Sequence, residues 1–313
     1  MSIAERVAGS FRDPAGHIFA SEGRVLRTIT HRALEQFQAA RPVLVDLVEK
    51  GRLVGFSEHK PEKFGFDKDH VAVVLEHPVI ETWSFPYEWS FALLRDAAIF
   101  HLDLHLELLE QGLTLSDASA YNVQFVGPTP IFIDHLSIRP YRDGEFWLGH
   151  RQFCEQFLNP LLLRAYLDIA PNAWYRGGLE GISTTDLAKL LPFRAKARLP
   201  VLTNVVLPAR FQKGATSDKA ARQDLKKRQL PLVGYQSMLR QLRNFISKLR
   251  PANTSATTWA NYATTTTYDD EETIAKKRFV ADFVRESKAS HVVDLGCILV
   301  TIARFAWRQV PPK

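Results

Sequence analysis

The chain has 313 residues, of which 46% are hydrophobic and 11% aromatic, and a formal net charge of +6 at neutral pH. This apolar content excludes a globally disordered chain, and at about 150 residues per domain the length predicts two domains. The N-terminus has no signal-peptide core, and no apolar run reaches the roughly 18 residues of a membrane span. Cys154 and Cys297 are too few and too far apart for a disulfide framework or a metal site. We therefore expect a soluble, cytoplasmic protein.

Residues 1–85 are predicted to form a small β-rich lobe. Ser21-Glu22-Gly23 supplies a hairpin turn, with a glycine where positive φ is useful. Pro42 is expected to kink or restart the helix in which it lies. In chain order, the elements are strands His17–Ala20 and Arg24–Ile29, a helix from a Thr30 cap to Gly51, and strands Val71–Leu75 and Val79–Trp83.

Residues 86–208 are predicted to form a mainly helical lobe. A helix over 89–111 ends at Gly112, and short strands follow at 123–126 and 131–133, before a helical stretch over 145–191. His101 and His105 are one turn apart on the first helix, a spacing that can bind zinc. The catalytic Glu of a zinc protease motif is missing beside His101, so we favour a structural pair. The helix buries an apolar face of Leu93, Ala97, Phe100, Leu104 and Leu108.

Residues 209–267 are predicted to be a basic helical connector followed by a Thr- and Asn-rich linker. Between Arg210 and Arg250 there are eleven Lys and Arg residues against Asp218 and Asp224. A solvated helical face is the plainer interpretation of this charge, and an anionic partner for 210–250 is the alternative. Residues 268–313 form the last predicted segment, which begins with an amphipathic helix capped by Asp269 or Asp270.

The middle of the chain carries a pattern typical of phosphoryl transfer. Asp117 and Asn122 have the Asp-x4-Asn spacing of a kinase catalytic loop, and Asp134 follows at the end of an apolar strand. In this interpretation Asp117 is the catalytic base, while Asn122 and Asp134 hold magnesium for a bound ATP. The segment resembles the C-terminal lobe of a protein-kinase-like or aminoglycoside-phosphotransferase-like fold. The alternative is that all three residues only cap turns and strands.

The kinase pattern is incomplete. No Gly-x-Gly-x-x-Gly loop precedes the segment, and the Asp-Phe-Gly position reads Asp134-His135-Leu136. The strand that carries a lysine in kinases offers Arg27 instead, which we expect to pair with Glu35 on the following helix. Arg is not equivalent to a phosphate-clamping Lys, so a pseudokinase is as consistent with these residues as an active kinase.

As a whole, the chain resembles bacterial class I S-adenosylmethionine (SAM)-dependent methyltransferases with a long N-terminal extension, among which are rhizobial nodulation proteins. The resemblance runs to about Cys297 and implies a nodulation-linked role with an unknown methyl acceptor. The segments that carry it are Phe11-Arg12-Asp13-Pro14-Ala15-Gly16, Phe85-Pro86-Tyr87-Glu88-Trp89-Ser90-Phe91, Asp117 to Phe125, Ile131-Phe132-Ile133-Asp134 and Arg151-Gln152-Phe153-Cys154.

The resemblance also implies a SAM-binding turn near the end of the chain. Val292-Val293-Asp294-Leu295-Gly296 matches the first strand and turn of such a domain, with Asp294 and Gly296 as its SAM-binding residues. No second glycine follows, and Ile298 to Lys313 is too short for further βα units. We therefore expect an incomplete Rossmann-like start and no independent SAM turnover.

Three functions stay open from the sequence. The first is a SAM-dependent methyltransferase family member that is inactive alone. The second is a kinase-like or pseudokinase module that binds magnesium and ATP, and the third is a non-enzymatic scaffold for an anionic partner. The predicted fold is α+β: a two-lobed kinase-like region, a helical basic connector, and the incomplete Rossmann-like start.

Overall fold

The computed structural model describes residues 5–7, 13–21, 23–214, 229–253 and 269–288. They combine helices with antiparallel sheets, so the predicted α+β class is confirmed. The chain divides into two compact units, residues 1–252 and residues 253–313. The predicted boundary at residue 85 therefore falls inside the first unit. In the second unit, the described helix Asp270–Glu286 begins at Asp269, whose carboxylate accepts a hydrogen bond from the Glu272 amide as expected for a cap.

An antiparallel sheet of five strands, in the order β1-β2-β3-β5-β4, forms one side of the first unit. The predicted hairpin is confirmed, with Gly23 at φ 75° in its turn. The predicted strand over 79–83 is wrong: Pro78 has no amide hydrogen to continue the ladder, and the chain leaves the sheet there. The strands are β1 (Glu5–Arg6), β2 (Ile18–Ser21), β3 (Arg24–Thr30), β4 (Ser57–His59) and β5 (Val71–His77).

Helix α1, His31–Glu49, crosses one face of this sheet. It passes through Pro42 as one element, so the predicted restart there is wrong. Pro42 lies on the exposed face, where water can solvate the carbonyl group that loses its intrahelical partner. The opposite face is fully buried and supplies Phe37, Ala40, Leu44 and Leu47 to the core.

Helix α2, Phe91–Glu110, is the central helix of the rest of the unit. The Ser90 hydroxyl caps it by accepting a hydrogen bond from the Leu93 amide, and Gly112 ends it at φ 71°, as predicted. Two antiparallel strand pairs follow, and together they frame the loop that contains Asp117. They are β6 (Leu113–Leu115) with β9 (Ile138–Pro140), and β7 (Val123–Val126) with β8 (Thr129–Phe132).

The remaining helices pack around α2 as short segments. Two of the longer runs contain a π-helical turn, Cys154–Leu158 and Leu202–Val206, where the hydrogen-bond pattern widens by one residue. None of the described helices is long and apolar enough to cross a bilayer. These helices are α3 (His150–Phe153), α4 (Asn159–Leu167), α5 (Asn172–Gly177), α6 (Thr184–Leu190), α7 (Phe193–Lys196), α8 (Leu199–Val201) and α9 (Leu207–Gly214).

The helix Leu232–Lys248, called here the docked helix, packs along α2 and belongs to the first unit. The connector predicted for 209–267 is helical over this described part, which packs against α2. The helix packs there because apolar residues recur at helical spacing on one face, a pattern that a count of basic residues does not show. Arg243 also donates two hydrogen bonds to the Asp103 carboxylate, at 3.0 and 3.1 Å. The buried face consists of Tyr235, Leu239, Leu242 and Ile246.

The docked helix gives a first prediction. The Tyr235 hydroxyl lies 3.3 Å from Nε2 of the buried His105, so Tyr235→Phe removes one buried hydrogen bond. We expect the free energy of unfolding in urea to fall by about 1 kcal/mol. Arg240→Gln on the same helix breaks only an exposed ion pair with Glu110 and should change it by less than about 0.5 kcal/mol. Equal effects of the two substitutions would contradict the docking.

Candidate functional site

A cavity of about 620 Å³ lies between the sheet and the loop that follows β6. One wall comes from β3 and β5 and includes Arg27 and His77. The opposite wall comes from the loop and from the end of β8, and includes Asp117, Asn122 and Asp134. The three residues that the sequence singled out therefore line the same cavity, together with Arg27.

Asp134 is the most connected carboxylate in this cavity. Arg27 Nη1 lies 2.7 Å from its Oδ1, and Asn122 Nδ2 donates a hydrogen bond of 3.3 Å to its Oδ2. Oδ1 also accepts a hydrogen bond from the amide of Leu136, so the side chain caps the short turn His135–Ser137. Asp134 thus ends the apolar strand as the sequence predicted, and it binds both neighbouring candidates.

The predicted pair between Arg27 and Glu35 is wrong. Glu35 lies on the exposed face of α1, while Arg27 is only 7% exposed and turns into the cavity. There its Nη2 lies 2.8 Å from Oδ2 of Asp13. Arg27 is therefore held between Asp13 and Asp134, one carboxylate on each side. The helix register places Glu35 towards solvent because Ala33 and Phe37 occupy the inward positions.

Asp117 begins a loop whose main-chain amides are held by side-chain oxygen atoms. Its Oδ1 accepts a hydrogen bond of 2.5 Å from the Ser119 amide. Two glutamines of the next helical run hold the loop: Gln152 Oε1 accepts from the Ala118 amide, and Gln156 Oε1 accepts from the Ala120 amide. Burial, and secondarily the nearby Asp134, raises the pKa of Asp117. A carboxyl group with a raised pKa is suited to accept a proton from a substrate hydroxyl.

Two buried histidines lie beside the cavity, His77 at the end of β5 and His135 directly after Asp134. The rings of His77 and His135 lie 4.8 Å apart, and each donates a hydrogen bond to a main-chain carbonyl, of Gly55 and Val54 respectively. Burial lowers the pKa of His77 to about 4 and that of His135 well below its usual value. Both rings are therefore neutral at pH 7, and Arg27 remains the cationic side chain among the described lining residues.

The segment after β5 completes the rim. Ser84 is tied to β7, because its amide donates to Gln124 Oε1 at 3.2 Å and its carbonyl accepts from Gln124 Nε2 at 3.0 Å. This pair presents Trp83 and Phe85, which are half-exposed, at the mouth of the cavity. The rim is thus apolar and aromatic, whereas the floor is acidic. Such a division suits a ligand with a flat apolar part and a part that reaches the carboxylates through a cation.

Sequence reasoning missed three residues of this site. Asp13 stood in the Asp-Pro-Ala-Gly stretch, whose turn character was visible, but nothing local indicated that it reaches Arg27. Gln124 and Gln156 are both buried, at 3% and 2% exposure, and polar residues inside apolar runs are the signal that could have identified them. These two glutamines contribute by fixing main-chain segments, Gln124 at Ser84 and Gln156 at Ala120.

The other predicted residues lie away from the cavity or outside the residues that the structure describes. Asp294 and Gly296 fall outside the described residues, as does much of the basic stretch, residues 215–228. In the described part of the basic stretch, Arg240 and Arg243 form ion pairs with acidic residues of α2. An anionic partner for residues 210–250 stays a prediction. His101 and His105 are both fully buried in the core beneath the site.

Comparisons with known proteins give one informative relative. The chain is 47% identical over 293 residues to nodulation protein NoeA of Rhizobium meliloti (strain 1021). The alignment covers 93% of this chain and 62% of the relative, so the chain spans less than two thirds of that protein's length. No family model matches the chain. The chain is therefore similar to this nodulation protein over nearly all of its own length.

Proposed function

We propose that the first unit is a kinase-like module that binds a magnesium–nucleoside triphosphate, within a protein with a nodulation-related role. The observation that carries the proposal is the convergence of Asp117, Asn122 and Asp134 on one cavity beside Arg27. The order of elements supports it too: a sheet with a helix after β3, then α2, the loop, and the β7–β8 hairpin that leads to Asp134. The nodulation-related role is taken from the name of the relative.

The residues present fit a magnesium ion. Mg²⁺ prefers oxygen ligands and is usually held by one or two protein groups together with substrate phosphates. Asn122 and Asp134 offer an amide oxygen and a carboxylate on two side chains that are joined by the 3.3 Å hydrogen bond from Asn122 Nδ2, and Asp117 is a further acidic neighbour. Bound magnesium would supply the positive charge that neutralises the phosphates. Because carboxylates outnumber guanidinium groups in the cavity wall, a nucleotide without the metal meets net repulsion.

Asp117 is the residue that we assign to an acceptor hydroxyl. It lies on the loop that Gln152 and Gln156 hold, and its carboxyl group faces the same cavity as the metal-binding pair. Burial raises its pKa, which favours proton acceptance. In this proposal Asp117 orients the hydroxyl and takes its proton, Asn122 and Asp134 hold the metal, and Arg27 contacts the phosphates.

Magnesium-dependent stabilisation by ATP tests the proposal. At a free ATP concentration of 100 Kd, binding adds about 2.7 kcal/mol to the free energy of unfolding, which is a rise of several degrees in Tm. We expect this rise with Mg²⁺, little of it with EDTA, and its loss in Asp134→Ala. Asp69→Ala is the matched control, since Asp69 is exposed and outside the cavity wall. An unchanged Tm of the wild-type chain with saturating Mg²⁺ and ATP would refute the proposal.

SAM-dependent methyl transfer is a second candidate, and the sequence Asp294-Leu295-Gly296 is the observation that favours it. In class I enzymes such a turn approaches the cofactor closely, so a glycine is needed where a Cβ atom would collide with it. The methyl acceptor is not specified by these residues. Equilibrium dialysis with labelled SAM tests the candidate. Binding that Gly296→Val abolishes would support it, and no retention of SAM by the wild-type chain would exclude it.

A further inference from the structure

Arg27 occupies an unusual position for a cavity residue, because two carboxylates hold it at once. Nη2 binds Asp13 at 2.8 Å and Nη1 binds Asp134 at 2.7 Å. The side chain is more than nine-tenths buried, and within the described part of the chain its Nε atom has no hydrogen-bond partner. A buried guanidinium donor without an acceptor is costly, so an acceptor atom supplied by a ligand in this cavity would stabilise it.

The segment that carries Asp13 is fixed to β3. The Thr30 amide donates to the Ala15 carbonyl, and the Thr28 amide donates to the His17 carbonyl, both at 2.9 Å. Gly16 lies directly on the strand, where a Cβ atom would overlap the carbonyl oxygen of Thr28. Asp13 also closes a turn by accepting from the Ala15 amide at 2.8 Å. Its carboxylate is therefore held in place beside Arg27 independently of any ligand.

We propose that Asp13 is the positioning residue of Arg27, and that Arg27 exchanges its second partner, Asp134, for a phosphate oxygen when a metal-bound nucleotide enters. The inference rests on the proposed function and names the residue that does what Glu35 was expected to do. A divalent cation at Asp134 takes over the negative charge that Arg27 now neutralises. Arg27 keeps its Nη2 bond to Asp13 and turns Nη1 to a phosphate oxygen, so metal and nucleotide binding reinforce each other.

The two flanking carboxylates have opposite roles in this exchange. Asp134 competes with the phosphates for Arg27, whereas Asp13 shares the positive charge of the guanidinium group with Asp134 and holds its other nitrogen. Removing the charge of Asp13 leaves Asp134 as the one acidic partner, so magnesium must break a stronger ion pair. Removing Arg27 frees Asp134 for the metal but withdraws the phosphate donor. The two substitutions are therefore expected to move the magnesium requirement in opposite directions.

The experiment titrates Mg²⁺ at a fixed ATP concentration and records Tm, with Tm without ligand measured for each variant. For Asp13→Asn, we expect the half-maximal Mg²⁺ concentration to rise about tenfold, the size of one charge-assisted hydrogen bond. Asp13→Glu, which keeps the charge, should restore most of the wild-type value. Arg27→Met is titrated with Mg²⁺ in the absence of ATP as well, where its midpoint should be lower than that of the wild type, and its stabilisation by ATP at saturating Mg²⁺ should be smaller. Glu35→Gln and Asp69→Asn are the controls and should leave the titration unchanged.

The outcomes separate the inference from the proposed function. The inference is supported if Mg²⁺ and ATP stabilise the wild-type chain and the magnesium midpoint rises in Asp13→Asn but not in Glu35→Gln or Asp69→Asn. Wild-type binding with an unchanged midpoint in Asp13→Asn, or a shift produced equally by Glu35→Gln, overturns the inference and leaves the proposed function standing. Absence of wild-type binding overturns both. A lower Tm without ligand at an unchanged midpoint would reduce Asp13 to a structural residue and overturns the inference.

Discussion

The free energy of unfolding is expected to fall steeply between pH 6.5 and pH 4. Burial lowers the pKa of His77 and His101 to about 4, and those of His105 and His135 well below the usual value of 6.5. Below pH 6.5 the unfolded chain binds protons at these sites while the folded chain does not, so acid favours unfolding. At pH 5, His77 and His101 alone remove about 4 kcal/mol, at about 1.4 kcal/mol per pH unit each.

Urea unfolding at pH 7, 6 and 5 measures this effect. His101→Met removes one titrating group from a ring-lined core position and should flatten the pH dependence, whatever its effect on stability at pH 7. His31→Gln is the control, because His31 lies on the surface and bonds to the Lys68 main-chain carbonyl rather than to an acidic side chain. Asp117 works in the opposite direction, since burial raises its pKa, but it is one group against four. A level unfolding free energy from pH 7 to pH 5 would contradict the buried, neutral state of the histidines.

The second large effect is expected from Gly16→Ala. The new methyl group would overlap the Thr28 carbonyl, which is main chain within β3 and cannot move without breaking the sheet. The Asp13–His17 segment must lift instead, with loss of its two hydrogen bonds to β3. We expect a loss of about 3 kcal/mol of unfolding free energy, at the upper end for overpacking. Asp13 then leaves Arg27, so the ATP-dependent rise in Tm should also shrink.

A matched glycine is available for comparison. A Cβ on Gly177, at the end of α5, meets no atom within 4 Å. Gly177→Ala is therefore expected to be neutral or slightly stabilising, because alanine is the better helix former. Urea unfolding curves of both variants, with a thermal-shift measurement in Mg²⁺ and ATP, complete the test. Equal stabilities of the two variants would show that the segment is not packed on β3 as described.

Local patterns predicted most of the regular elements well. The hairpin around Gly23, the Ser90-to-Gly112 helix and the β7–β8 pair all followed from turn residues and apolar spacing. The errors arose where tertiary surroundings overruled a local signal. Pro42 was expected to kink or restart its helix, yet the helix does not restart there, because Pro42 lies on the solvent side, where the loss of one hydrogen bond costs little free energy. Residues 79–83 have strand-like composition, but within the described part of the chain no neighbouring strand is placed to pair with them after Pro78.

Only the residues of the site that lie close together in the sequence could be predicted from a motif. Asp117, Asn122 and Asp134 follow one another within eighteen residues, so a motif can relate them. The partner of Arg27 is a question of three-dimensional register, and the nearer helix offered Glu35 as a plausible but incorrect answer. Asp13 reaches Arg27 because Gly16, which has no Cβ atom, allows residues 13–17 to lie directly on β3. The contact of this segment with β3 is made by main-chain atoms, which a pattern of side-chain types does not reveal.

The way that sheet and helices are joined restricts how the cavity admits a ligand. Val54 bonds through its amide to the Phe132 carbonyl and through its own carbonyl to His135, and Gln36 bonds to the Leu136 carbonyl. With the Gln124–Ser84 bonds, these contacts join the two walls at several separate points across the cavity. Among the described residues such a joint leaves no free hinge, so entry of a ligand depends on side-chain movements. The radius of gyration in solution should therefore stay constant on binding, unlike that of proteins whose lobes close around their substrate.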